Sequence, residues 1–229
     1  MKLYLTKRIP ESADTESLFF KADVPLVWKA GQFFHYVLHH EPTDDRGSDR
    51  WFTIASAPSE ESIMLTTRFS QEKSSSFKKA LQSLKIGESL EISDLDGDFI
   101  VEDYTDEYIF IAGGIGITPF RAILKDLEYY NKQPKITLLY ANRNEQIPFK
   151  EEIDALATKN PNIQIHYITS PDRIDKQKIQ EIVPDIEKPL FYISGPEPMV
   201  ESLGTVLREL GVQASHLKQD WFPGYLEQA

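Results

Sequence analysis

Residues 111 to 119 read IAGGIGITP, a glycine-rich stretch that follows the apolar run YIFI and leads straight into FRAILKDLEYY. A strand, a tight loop and a helix in that order begin a parallel α/β unit, and the loop falls where such a sheet holds its ligand. Gly113, Gly114 and Gly116 carry no Cβ, so backbone N–H groups there can come close to a pyrophosphate. Thr118 suits the helix N-cap, and Pro119 suits the first helical turn, where its missing N–H would have had no intrahelical partner. The result is a helix N-terminus aimed at an anion. Pro119 stands where the third glycine of a GxGxxG fingerprint would be, so the helix is expected to pack differently from that of a standard dinucleotide fold. The same residues also describe a plain strand-to-helix turn rich in glycine, and the loop needs company before it assigns a ligand.

Outward from this loop the two halves of the chain differ in rhythm. After residue 107, YIFIAG precedes TPFRAILKDLEYY, KITLLYAN precedes PFKEEIDALAT, IQIHYITS precedes KQKIQEIV, PLFYISG precedes PEPMVESLGTVLREL, and SHLKQDWF follows. Five strands with intervening helices predict a parallel sheet covered on both faces. Before about residue 103 the runs KLYLTK, SLFFKA, QFFHYVLHH, RWFTIAS, IMLTTRF, SLEIS and FIVE are short, β-type and separated by turn residues, which predicts a small antiparallel barrel. One helix interrupts them over SSFKKALQSL, where Phe77, Leu81 and Leu84 recur at helical spacing and Gly87 lies just beyond. The boundary is placed near VEDYTDE, giving domains over 1–103 and 104–229.

Composition narrows the chemistry. The 229 residues are 41% hydrophobic, enough for two modest cores. There is no cysteine, hence no disulfide, no thiolate zinc site and no cysteine ligand for an iron–sulfur cluster, so any electron relay needs another cofactor. A net charge of −11 disfavours a nucleic-acid surface and favours small-molecule or protein partners. No apolar run approaches the roughly 18 residues of a membrane helix, and the first twenty residues lack the apolar core and cleavage site of a signal peptide. A soluble cytoplasmic chain without membrane insertion is expected. In HYVLHH, alternation puts His35 and His39 on one face and His40 on the other, so no metal site is expected. DLDGDF begins like a calcium loop, but Phe99 and Thr105 stand at the decisive positions; it reads as a turn between barrel strands, bent at Gly97.

RWFTIAS at 50–56 in the barrel half, GGIGITP after the first parallel strand, SGPEPM at 194–199 after the fourth and DWFPGY in an aromatic tail occur in a fixed order. From WKAGQFF to FPGY the chain resembles the ferredoxin–NADP reductase family. The resemblance implies a β + α/β protein: an antiparallel six-stranded flavin-binding barrel with one helix, followed by a five-stranded parallel NAD(P)-binding domain. It implies a flavin-dependent oxidoreductase that passes hydride from NAD(P)H to bound FAD, with FMN as the less favoured flavin. Electrons then leave to an external acceptor such as a ferredoxin, flavodoxin, haem protein or small oxidant. A non-catalytic flavin- or nucleotide-binding subunit of a larger complex is the alternative, favoured by Ser194 in place of the family's cysteine.

The same resemblance assigns residues. Arg50 would pair with flavin phosphate, Phe52 would stack on the ring system in place of the more usual tyrosine, and Thr53 would bond near flavin N5, with Trp51 between them. Thr66, Thr67 and Arg68 would supply backbone contacts, and Ser75 and Ser76 would meet the diphosphate at the barrel helix. Trp221 or Phe222 would shield the second flavin face. The nicotinamide nucleotide would be held by Gly113, Gly114, Gly116, Thr118, Pro119, Asn142, Arg143, Ser170, Arg173, Ser194, Gly195 and Pro196. Arg143 and Arg173 could meet a 2′-phosphate, which favours NADPH, or could be solvated loop residues. Ser194 stands where the family has a cysteine. Thr53, Ser194 and Phe222 are the candidate catalytic residues.

Overall fold

The computed structural model describes residues 1–69 and 74–222, and for Phe222 its backbone only. Tyr225 of the tail and the side chain of Phe222 therefore lie outside the described residues. In the first half, β1 (Lys2–Pro10), β2 (Thr15–Ala22), β3 (Phe33–Val37), β4 (Asp49–Thr53), β5 (Ile63–Arg68) and β6 (Ser89–Asp96) form one antiparallel sheet in the order β4-β3-β6-β1-β2-β5. The sheet curls because the chain just beyond β4 reaches across to the far edge: Ala55 N–H donates to Met64 O of β5 at 2.8 Å. Alternation along β1 sends Leu3 and Leu5 inward, where Leu18, Phe20, Phe34 and Tyr36 meet them. The helix α1 (Ser76–Ser83) plugs this core with Phe77 and Leu81, both fully buried.

The run FIVE is not a strand. Gly97, at φ +108°, ends β6, and residues 97–103 cross to the second half without joining either sheet. Gly97 therefore closes the last barrel strand and does not turn between two. The apolar side chains of this run serve the interface: Phe99 packs edge-on against Phe120 and Tyr192, and Ile100 O accepts a hydrogen bond from Tyr192 Oη at 2.7 Å.

The second half alternates β7 (Glu107–Gly113), α2 (Ile117–Tyr129), β8 (Lys135–Asn142), α3 (Lys150–Lys159), β9 (Ile163–Thr169), α4 (Lys176–Ile182), β10 (Leu190–Pro196), α5 (Glu197–Glu209) and β11 (Leu217–Phe222). All neighbours pair in parallel, in the order β11-β10-β7-β8-β9. Strand order reverses between β7 and β10, the switch point outside whose carboxyl ends open α/β sheets bind their ligands. One core cluster runs across both halves: Ala30, Ala55 and Met64 of the barrel pack with Phe99, Phe110, Phe120 and Tyr192. Phe120 is central, stacked on Phe110 at 4.7 Å between ring centroids. Phe120→Ala should lower unfolding free energy by about 3–5 kcal/mol in urea titration, because the space between two rigid sheets cannot collapse to fill it.

Candidate functional site

The glycine loop meets the backbone of Ser194 and Gly195 at the end of β10. A Cβ on Gly116 would collide with the Ser194 carbonyl, and one on Gly113 would collide with Met199 Sδ. A Cβ on Gly195 would lie 3.2 Å from Gly113 Cα. Gly114 is the one loop glycine at positive φ, +52°, and the place of its missing side chain faces Arg68 Nη2 at 3.7 Å. Arg68 belongs to β5, so the barrel half places a cation beside the loop; its Nε is 3.2 Å from Asp14 Oδ2.

Thr118 is not the N-cap. Residues 114–116 form a 3₁₀ turn that runs straight into α2, so Gly116 takes the cap position and Thr118 lies inside the first turn, its hydroxyl donating to Ile115 O at 3.1 Å. Pro119 stays within that first turn, where no N–H is required.

The register of β10 with β11 sets Ser194 beside Asp220. Ser194 is fully buried, and its hydroxyl donates to Asp220 Oδ2 at 3.4 Å. Burial raises the Asp220 carboxyl to about 6, with nearby Asp98 adding to the rise and the Ser194 hydrogen bond opposing it. Sequence reasoning did not single out Asp220; the signal was a lone acid in the strand before the tail aromatics. Trp221, the next residue, is half exposed, and the Phe222 backbone pairs with Pro196.

In the barrel half, Thr53 is 3% exposed and its Oγ1 has no hydrogen-bond partner. Arg50 donates through Nη1 to the carbonyls of Arg46 and Asp49 and lies over the Phe77 ring, while its buried Nη2 makes no hydrogen bond. Phe52 is half-buried, 5.8 Å from Phe77 and from Tyr36. Trp51 points to the other face, exposed and stacked on His35 at 4.7 Å, and does not join Arg50 and Phe52. His35 in turn contacts Asp49 and Ser93, and no cluster of His, Asp or Glu among the described residues could hold a metal.

Thr66 shares a hydrogen bond with Ser17 at 2.7 Å, Thr67 is fully buried, and β5 is one of the sheet's two edge strands. Ser75 caps α1 by accepting from Lys78 N. Ser76 N–H donates to Asp44 Oδ2 at 2.7 Å, which holds the Asp44 carboxyl below its ordinary range, and Arg50 Nη2 lies 3.8 Å from the other Asp44 oxygen. The helix start and Arg50 thus converge on one internal carboxylate. Asn142 and Arg143 lie at the carboxyl end of β8, and Ser170 and Arg173 beyond β9, on the same edge of the sheet as the glycine loop. Ser170 N–H donates to Asn142 O at 3.2 Å.

Residues 110–204 match the model of the oxidoreductase NAD-binding domain. The described structure superimposes on the FAD/NAD-binding domain of nitric oxide dioxygenase from Vibrio cholerae with TM-score 0.84 at 21% identity, covering 96% of this chain and 98% of that one. Ferredoxin–NADP+ reductase from Plasmodium falciparum gives 0.82 at 20% identity, with 96% and 95% covered. In sequence the chain is 25% identical to a flavohemoprotein of Rhodopirellula baltica, covering 95% of this chain and 59% of that protein. It is 30% identical to one component of the Na(+)-translocating NADH-quinone reductase of Neisseria meningitidis, covering 76% and 49%. The chain spans about half to three-fifths of the length of these curated relatives. It has the two-domain fold of the ferredoxin–NADP reductase-like proteins. The match to the oxidoreductase NAD-binding domain falls within its second half.

The Asp220 carboxyl ties pH to stability. Its folded value near 6 lies above the ordinary 3.8, so its contribution is intact below about pH 4 and is lost as pH rises through about 6. Asp220→Asn should therefore be more stable than the parent by about 3 kcal/mol above pH 7, a difference that shrinks toward zero near pH 4. Chemical denaturation of both proteins across pH 4–8 measures it.

Proposed function

We propose that the chain is a flavin-dependent NAD(P)H oxidoreductase with FAD in the barrel domain, residues 1–103, and the nicotinamide nucleotide in residues 104–229. The observation that carries this reading is the close approach of the Gly113–Gly116 loop to the Ser194–Gly195 backbone, with Arg68 of the barrel beside Gly114, because bare backbone of one domain and a cation of the other lie together at the carboxyl ends of β7 and β10. Thr53 Oγ1, buried without a hydrogen-bond partner, supports a polar ligand in the barrel half, since buried polar groups are otherwise hydrogen-bonded. Bound FAD would supply a two-electron acceptor able to release its electrons singly.

The chain's own residues bind and orient. Arg50 pairs with phosphate, Thr53 donates to the polar edge of the flavin ring, and Phe52 lines its face. The edge of β5 from Thr66 to Arg68 offers backbone groups, and Ser75 and Ser76 stand at the helix start. In the other domain the bare backbone of Gly113, Gly114 and Gly116, with Thr118 and Pro119 opening α2, receives the pyrophosphate. Ser194, flanked by Gly195 and Pro196 and held by Asp220, underlies the nicotinamide. Asn142, Arg143, Ser170 and Arg173 lie toward the adenosine end, where the two arginines favour NADPH. Trp221, at the end of β11, covers the exposed side of the flavin. Bringing the reacting carbon and nitrogen within about 3–3.5 Å is the main task, and it needs no acid or base.

Electrons leave to a separate redox partner. The 229 residues hold no cysteine, so the ligands of an iron–sulfur acceptor would come from elsewhere. Among relatives, a glycine betaine monooxygenase reductase subunit of Chromohalobacter salexigens, 25% identical, supports an acceptor of the oxygenase kind. No helix of the described residues is long and apolar enough to cross a membrane, which supports a cytoplasmic place.

Purified protein supplied with FAD should be yellow, and anaerobic NADPH or NADH should bleach its flavin band on a catalytic timescale. A colourless protein, or a yellow one that stays oxidised, would overturn the reading. Thr53→Ala should keep its flavin and reduce it about tenfold more slowly in single turnover, from loss of one hydrogen bond.

A further inference from the structure

Arg121 lies one turn into α2, the helix opened by the glycine loop, and its side chain is 6% exposed. Its guanidinium uses every N–H donor inside the protein. Nε donates to Glu152 Oε2 at 3.0 Å and Nη2 to Glu152 Oε1 at 2.6 Å. Nη2 also donates to Glu60 Oε1 at 2.8 Å, and Nη1 to Glu60 Oε2 and to Ala55 O at 3.1 Å.

These partners differ in where they belong. Glu152 is on α3, in the same half as Arg121, whereas Glu60 and Ala55 belong to the barrel half. Ala55 lies two residues past Thr53, and its N–H donates to Met64 of β5, so the Ala55–Ser56 segment is gripped from the barrel on one side and from α2 on the other. Glu60 is itself fixed, accepting Ala57 N–H at 2.7 Å. One buried cation therefore spans from the helix behind the glycine loop to the strand end that carries Thr53.

We propose that Arg121 is a positioning residue, which through Glu60 and Ala55 sets the spacing between the nicotinamide loop and the flavin-facing end of β4. The inference rests on the reading of the preceding subsection. Misplacing reacting groups by about 1 Å can cost a hundredfold in rate, and a bidentate guanidinium pair between two carboxylates is stiff enough to hold such a tolerance.

Glu60→Gln and Glu152→Gln provide the contrast, because each removes one carboxylate charge from the same guanidinium and keeps side-chain size. Glu60→Gln should slow flavin reduction at saturating NAD(P)H tenfold or more, with FAD and nucleotide dissociation constants within twofold of the parent. Glu152→Gln should stay within twofold in rate even where it loses as much stability. A readout without flavin comes from spin labels on Lys21→Cys and Thr205→Cys, both exposed sites in a chain that has no other cysteine. Their distance distribution should broaden with Glu60→Gln and not with Glu152→Gln. Equal effects of the two variants, or stability loss with unchanged rate and distance, would overturn the proposal alone. A parent protein that binds flavin and is never reduced would overturn the functional reading as well.

Discussion

Two stretches of main chain press together where β7 and β10 end, and the rest of the candidate site is arranged around that contact. A Cβ on Gly116 would strike the Ser194 carbonyl, and one on Gly195 would crowd Gly113 Cα at 3.2 Å. The contact sits at the reversal of strand order, so helices α2 and α5 depart to opposite faces of the sheet and peptide groups meet between their starts. Peptide groups suit an anion of variable shape, because they present donors without the conformational cost of ordering long side chains.

The second requirement is that the barrel stay in register with this contact. An apolar cluster shared by Ala30, Ala55, Met64, Phe99, Phe120 and Tyr192 joins the halves, and Lys218 Nζ adds a hydrogen bond to Asp98 O at 2.6 Å. Hydrophobic packing resists separation but is not directional, whereas hydrogen bonds at fixed angles resist sliding. The division of labour between the cluster and the Arg121 network follows from that difference.

Much of this was legible in the sequence, because periodicity survives without knowledge of partners. The change from short β-type runs to alternating strands and helices placed both sheets and the five α-helices of the described residues, and the glycine loop fell at the carboxyl end of β7. What failed was whatever depends on a distant neighbour. Thr118 reads as a cap only if the helix starts there; the 3₁₀ turn at 114–116 moves the start back. FIVE has strand composition, but its apolar groups are consumed by Phe120 and Tyr192 instead of a ladder. Asp220 gains its significance from parallel pairing with Ser194, twenty-six residues away in sequence, and Arg121 from Glu60 at a separation of sixty-one, distances at which no local pattern speaks. Trp51 sits one residue from Phe52 and, by simple alternation, faces away from it.

The start of α1 bears on how tightly any phosphate group could be held. There the Ser76 N–H already donates to the Asp44 carboxylate, and Arg50 lies within 4 Å of the same group. The chain thus carries its own counter-ion at this position. A phosphate arriving there exchanges one anion for another, and the free energy of that step is the difference between two sets of contacts, with the displaced carboxylate recovering its hydration as part of the balance.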